Sequence, residues 1–425
     1  MPSLILSFVG QQDPVSDHTH EDGSIVSLMR HLVAEGQTIK QVLLLYTTAT
    51  KERAELTQGW LMDDPFHLPQ ERVLFLATGD GLSDDPVNLL LSVQAARQGL
   101  EMAIAQATPQ DILELNASSG TPVMKSSWSL LQAAGYAPKS RVWQVRNPKE
   151  QQSHQMRVFQ TNVQVLRQEF DAKVIRQQLQ DYNYSGALTT LRMSGLATPL
   201  LEALLNYGHC RLSLDFQQAQ EAISAGPALS GLCLSGVDSR WQQELEALLQ
   251  RNPIALMREA YFKAIVELKN KKFSDFLVRV SQFQEKALQF FVNRQLSSRP
   301  SLPASFAETS GFWSALSIEH PDLYQFLQGY RFRDVPLRLD GFPNRPTYMA
   351  ILEYSQDTAL EPLQALSSYC DQRNRYIHQF EGISNLEGTE EILRKARQVL
   401  CELGQTDFAN PYNLLNQDVL RSLHS

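Results

Sequence analysis

The chain has 425 residues, 43% of them apolar, a length that exceeds what one hydrophobic core usually organises and that suits two or three packed domains. A formal net charge of −8 excludes broad, nonspecific adhesion to nucleic acid and confines any RNA contact to a local basic patch. Four cysteines, Cys210, Cys233, Cys370 and Cys401, form no CxxC pair and have no histidines at zinc spacing, a pattern that points to reduced thiols in the cytosol and to no structural metal.

From residue 1 to about 147, short apolar runs alternate with helical stretches, the signature of a parallel sheet with crossover helices. The first run, Leu4 to Val9, is too short for a membrane span and has no basic leader, so it reads as a buried strand. Further strands are expected at Gln41 to Tyr46, Arg72 to Leu76, Asp111 to Asn116 and Arg141 to Val145. Helices begin near Gly23, Ala49, Val87 and Pro122, the last with Thr121 as N-cap and proline at the first helical position.

Sheets of this kind bind ligands beyond the carboxyl ends of their strands, here the loops Gly10 to Asp22, Ala77 to Pro86 and Ala117 to Thr121. The first loop lacks the second and third glycines that let a backbone approach a pyrophosphate, which argues against a dinucleotide-dependent dehydrogenase. In the run from Asn116 to Pro122, hydroxyls and backbone N–H groups at a helix amino terminus suit a phosphate, and equally suit a plain capped turn. His18 and His20, two apart in the segment Ser16 to Glu21, read as exposed polar loop residues before they read as metal ligands.

Beyond this domain apolar residues recur at three-and-four spacing through Val163 to Leu179, Leu200 to Leu205 and Trp241 to Leu249, with no competing strand alternation. The Gly, Ser and Pro content of Ser224 to Ser239 marks a boundary or hinge. Asn252 and Pro253 open a helix to about Asn270, and Ser274 is the expected cap of the next, which runs to about Leu296. Glu285 on that helix can orient a basic site residue or form a surface salt bridge. Lys269, Lys271 and Lys272 read as a solvated helix end rather than an RNA track. Tyr330 to Tyr348 is expected as loop, and its Arg331, Arg333, Arg338 and Arg345 among Phe332, Phe342 and Tyr348 serve single-stranded RNA or docking onto a helical core equally well.

A helix expected over Leu360 to Phe380 carries RNRYIH, with Arg373, Asn374 and His378. An imidazole that titrates near neutrality can move the 2′-hydroxyl proton of RNA, and a fixed guanidinium can hold the charge that develops on phosphorus. With 26 Arg and 9 His, one Arg five positions before a His arises by chance roughly half the time, and this is the only instance in the chain.

The stretches SFVGQQDPVS, DGSIVSLMRHL, VLLLYTT and NASSGTPVMKSSWSLL together resemble the CRISPR-associated Rossmann-fold (CARF) domain of type III CRISPR accessory ribonucleases. RNRYIH is similar to the catalytic motif of their HEPN domain, and FSDFLVRVSQFQEKAL to an earlier helix of it. The resemblance implies an α/β Rossmann-like sensor domain at 1–150, a helical linker at 151–250 and an all-α HEPN ribonuclease domain at 251–425. It implies a cytoplasmic homodimer that binds cyclic tetra- or hexa-adenylate as activator and cuts single-stranded RNA. No catalytic cofactor or metal, no membrane and no stable association with the interference complex are implied.

Carried over by position, Arg373 and His378 are the catalytic pair, with Asn374 supporting them. The nucleotide contacts fall on Gly10, Asp13, Ser118, Ser119, Gly120 and Thr121, with Gly79 and Asp80 beside them. Three other functions stay open: a non-catalytic nucleotide-sensing regulator, a ring nuclease in which Ser119 or Thr121 aligns a ligand 2′-hydroxyl, and an unregulated toxin-type ribonuclease.

Overall fold

A computed structural model describes residues 2–137, 139–149, 151–224, 237–297, 299–304, 306–379 and 383–423, with the side chains of 237–240, 306 and 372–379 left out. The chain forms two compact units, one up to Asp171 and one from Ala172.

The first unit is built on the strands β1 (Pro2–Phe8), β2 (Thr38–Tyr46), β3 (Val73–Ala77), β4 (Ile112–Asn116) and β5 (Ser140–Val145), all within a few residues of the expected runs. They are parallel and lie in the order β3-β2-β1-β4-β5. The crossovers are α1 (Ser24–Ala34), α2 (Lys51–Met62), the short α3 (Asp80–Asp84) with α4 (Leu89–Gln106), and α5 (Pro122–Ala133). Alternate residues of each strand point to opposite faces. Leu4, Leu6 and Phe8 therefore meet Ala96, Leu100 and Trp128 of α4 and α5, while Ile5 and Val9 meet Ile25, Leu28 and Leu32 of α1.

A buried carboxylate pins the register on the β4 side. Glu114 of β4 is fully buried, and accepts from the Ser3 hydroxyl of β1 at 3.0 Å, from Trp143 Nε1 of β5 at 2.7 Å and from the Arg141 guanidinium. An added strand, β6 (Val158–Thr161), runs antiparallel beside β5 and carries this unit past the boundary expected at 150. The sequence reading missed β6 because four half-polar residues on a sheet edge give no periodic signal.

The second unit is helical: α6 (Gln164–Gln180) leads into it, followed by α7 (Tyr184–Ser194), α8 (Pro199–Leu212), α9 (Phe216–Ser224) and α10 (Val237–Leu249). Then come α11 (Pro253–Lys269), α12 (Phe273–Gln295), α13 (Thr309–Glu319), α14 (Pro321–Gly329), α15 (Arg345–Tyr354), α16 (Leu360–Gln379), α17 (Thr389–Glu402) and α18 (Pro411–Leu423). One core runs from Ile175 to Val419, so the helices expected as a separate linker share their interior with the carboxyl-terminal ones. Most of the hinge expected at Ser224 to Ser239 lies outside the described residues.

The starts of α11 and α12 differ instructively. Asn252 caps α11 as expected, its side chain accepting from the N–H groups of Ile254 and Ala255, with Pro253 behind it. Ser274 does not cap α12, which starts one residue before it, after Lys272, with no side-chain cap. Residues 330–348 are also not all loop, for a two-residue-per-strand hairpin, β7 (Arg331–Phe332) and β8 (Val335–Pro336), precedes α15, and Tyr348 is buried within that helix.

The core of this unit contains an ionised knot. Arg211 of α8 is almost fully buried and grips Glu259 of α11 with two bonds of 3.0 and 2.7 Å. Its remaining donors reach the Tyr207 hydroxyl at 2.7 Å and Glu244 of α10 at 3.0 Å, and the Tyr412 hydroxyl of α18 donates to Glu259 at 2.6 Å. A bidentate pair whose carboxylate accepts three hydrogen bonds offsets much of its desolvation, whereas one partner left alone does not. Arg211→Met should destabilise this unit by about 3–5 kcal/mol in urea unfolding, and Arg211→Met with Glu259→Leu should recover most of the loss.

Candidate functional site

In a sheet of this order the strand connections part on either side of β1, and a crevice opens beyond the carboxyl ends of β1 and β4. The two loops there are tied together by one carboxylate. Asp13 is buried and accepts from Gly10 N at 3.0 Å, from Ile25 N at 3.3 Å at the start of α1, and from the buried Ser119 hydroxyl across the crevice. Burial pushes the Asp13 carboxyl above its ordinary range, while the bonds from Ser119, Gly10 and Ile25 and the charge of Lys125 pull it back.

Beneath this knot lies a second polar layer. Asn116 at the end of β4 is buried, donates to Ser7 Oγ of β1 at 3.0 Å and Ser24 Oγ of α1 at 3.2 Å, and accepts from Ser118 N at 3.1 Å. Ser118 Oγ accepts from Val145 N at 2.6 Å, which fixes the loop to β5. Thr121 caps α5 as its spelling suggests, and its hydroxyl donates to Pro86 O at 2.7 Å, which draws in the loop after β3.

Glycine is required at the turn itself. Gly120 has φ +88°, and a Cβ there would sit 2.9 Å from Met124 Sδ. A Cβ at Gly10 would stand 3.0 Å from both Gly120 N and Ser119 Oγ.

The structure thus brings six of the expected nucleotide contacts together, namely Gly10, Asp13, Ser118, Ser119, Gly120 and Thr121. It gives several of them a different task from the one expected. The Asp13 carboxylate, the Gly10 N–H and the Ser119 and Thr121 hydroxyls are spent on one another or on the backbone, so they shape the floor of the crevice. Gly79 and Asp80 stand apart, exposed at the start of α3, whose Ser83 hydroxyl donates to Gly79 O and accepts from Thr48 N, both at 3.0 Å. His18 and His20 are exposed on the outer part of the first loop.

Sequence reading missed Asn116 as the floor and Lys125 as the nearby cation. The spelling TPVMK, which puts a lysine one helical turn after a capping Thr, was the available signal for Lys125.

In the second unit, Arg373, Asn374 and His378 fall within the backbone of α16, while their side chains lie outside the described residues. The described part of α16 that leads up to them is held from three directions. Gln284 of α12 is buried and donates to Leu363 O at 2.7 Å and Ser367 Oγ at 2.9 Å. Arg345, the first residue of α15, pairs with Asp371, and Arg333 of the hairpin turn reaches the same carboxylate at 3.1 Å. Of the four arginines expected to serve either RNA or docking, Arg333 and Arg345 therefore dock their own stretch onto α16. Arg338, by contrast, is exposed beside Asp340. Glu285 is exposed on α12, bonded by Gln289 at 3.4 Å.

Burial raises the Asp371 carboxyl, but the bonds and charges of Arg345 and Arg333 outweigh it and hold the group below its ordinary value. Burial likewise pushes the Cys370 thiol up to about 11, which leaves it an inert core residue.

Comparison with solved structures finds the same architecture over the whole chain. The structure titled "Enterococcus italicus Csm6 bound to cyclic hexa-2'-fluoro-hexa-dAMP" superposes with a TM-score of 0.65 at 15% identity, covering 99% of this chain and 99% of that one. The chain has the Csm6 fold. No family model matches the sequence, and no curated protein matches it. Among the described residues, no helix is long and apolar enough to cross a membrane.

Two outcomes follow from these contacts. Asp13→Asn replaces an acceptor oxygen with a donor facing N–H and O–H groups, so it should lower the stability of the first unit by about 2 kcal/mol in denaturant unfolding. Asp371 is a carboxyl whose folded pKa is depressed, so the stability it contributes is complete above its unfolded value of 3.8 and is lost as pH falls through the lower folded value. The margin of the wild type over Asp371→Asn in urea midpoints should be flat from about pH 7 to about pH 5 and close below that unfolded value.

Proposed function

We propose that this chain is a cyclic-oligoadenylate-activated endoribonuclease of type III CRISPR defence that acts on single-stranded RNA in the cytosol as a homodimer. The observation that carries the reading is the combination, in one chain, of a full-length fold match to a protein solved with a cyclic hexanucleotide and an Arg-Asn…His motif on a helix of the second unit. The crevice beyond β1 and β4 supports the sensor half. A glycine turn at the amino end of α5, with Lys125 in its first turns, offers N–H groups and positive charge to a phosphodiester.

For the chemical step, His378 takes the proton of the RNA 2′-hydroxyl, and the 2′-oxygen attacks the adjacent phosphorus. The bond from phosphorus to the 5′-oxygen then breaks, leaving a 2′,3′-cyclic phosphate and a 5′-hydroxyl. Arg373 holds the charge on the five-coordinate phosphorane and Asn374 supports that arrangement, with no metal ion called on in this step. The departing 5′-oxygen needs a proton in the same step. A protonated His378 on a second copy of α16, brought across a two-fold axis, or water, supplies that proton.

An additional ring-nuclease activity finds less support, because the hydroxyls of Ser119 and Thr121 are each engaged within the protein. Labelled single-stranded RNA incubated with the protein at saturating cyclic tetra- or hexa-adenylate tests the reading. Arg373→Ala and His378→Ala should each reduce cleavage by at least about a hundredfold with nucleotide affinity unchanged, and the wild-type products should carry 2′,3′-cyclic phosphate ends. Cleavage that persists in both variants would place the chemistry elsewhere.

A further inference from the structure

A cavity of 770 Å³ in the second unit lies between the end of α8, the start of α7 and the turn from α11 to α12. Its lining is strongly cationic. Lys263 stands in its wall, about nineteen-twentieths buried, and Lys269, Lys271 and Lys272 ring the opening with His209. The opposing charges in the lining are Asp181, exposed and bonded by Gln177 at 3.3 Å, and the buried Glu267, against four lysines.

The arrangement of donors is specific. Lys263 uses one of its three N–H groups on Leu212 O, at the carboxyl end of α8, which neutralises the negative pole there and leaves the rest of the ammonium facing the cavity. Burial, with the charge of Arg279, holds the Lys263 pKa down to about 8 against the pull of Glu267, Glu259 and Asp275. Asn183, Tyr184 and Ser185, the cap and first turn of α7, form part of the wall, and this eleven-residue helix directs its amino pole there. The amino end of α12 begins at Lys272 without a side-chain cap. Lys269 Nζ lies 4.9 Å from the Tyr182 ring centroid, a cation–π contact on the cavity wall.

A buried ammonium and three exposed ones around one cavity, with the amino end of α7 in its wall, match the spaced negative charge of a phosphodiester chain. We propose that this cavity is a phosphate-binding site that holds the backbone of the single-stranded RNA substrate at a distance along the chain from the RNRYIH motif. This assignment rests on the ribonuclease reading for the identity of the RNA, while the phosphate chemistry stands on the cavity alone. It also reverses the expectation that the Lys269–Lys272 cluster is only a solvated helix end.

The test uses full-length protein carrying His378→Ala, so that RNA is not consumed, and follows a labelled single strand by fluorescence anisotropy across a range of salt. Lys271→Ala/Lys272→Ala, both at exposed positions, should weaken RNA binding about tenfold and make the plot of log affinity against log salt about 1.4 shallower, at roughly 0.7 for each phosphate no longer neutralised. Lys263→Met should weaken binding comparably with less change in the salt slope. Unchanged affinity and slope in the double variant would overturn the proposal. Titration with inorganic phosphate separates the sources: heat of binding that vanishes in the double variant while RNA affinity stays intact would place a free phosphate there and overturn the RNA assignment. Should the wild-type protein bind RNA through these lysines and yet never cut it, the ribonuclease reading fails and the site remains.

Discussion

The first unit depends on one buried carboxylate. Asp13 ties the turn after β1, the start of α1 and the turn after β4 to a single pair of oxygens, and the crevice where a ligand would sit is the space those three segments enclose. A carboxylate is suited to this because it accepts from several donors at once and accepts more strongly than a neutral group. Its burial carries a cost in desolvation, seen in the upward pull on its titration, which the surrounding donors offset. The result is a preorganised floor in which the polar side chains are bonded to one another and to the backbone.

The helical unit applies the same principle twice. Arg211 and Glu259 join α8, α10, α11 and α18 through an ionic knot of several hydrogen bonds, and Asp371 collects Arg333 and Arg345 to fix the hairpin and α15 against α16. Of the two, the exposed Arg333 arm contributes little energy and the half-buried Arg345 arm more. Their shared effect is orientation, since α16 arrives at Arg373 already held by Gln284 from below and by two guanidiniums from the side.

Much of this was legible in the sequence. The central strands β1 and β2 announce themselves because a strand buried on both faces must be almost wholly apolar, as LILSFV and VLLLY are. Thr121-Pro122 and Asn252-Pro253 give helix starts that the structure reproduces, because cap and proline are local chemistry. What escaped was set by tertiary contact. β6 exists because β5 offers an open edge, and α12 starts where its packing on α11 dictates rather than at the better capping serine. Likewise, Asp13 and Ser119 were readable as site residues but not as partners of each other, 106 positions apart. The arginines of 331–345 were visible as a cluster, but nothing local marks Asp371 as the place where two of them end.

The claim on which the account stands is that a cyclic nucleotide held by the first unit governs RNA hydrolysis by the second. The most direct measurement is the initial rate of cleavage of a fluorogenic single-stranded RNA as cyclic hexa-adenylate, or in parallel cyclic tetra-adenylate, is titrated from zero. A saturable rise with one of the two rings is expected, from a basal rate at least about a hundredfold lower. Equal rates at zero and saturating nucleotide, or no hydrolysis with either ring, would contradict it.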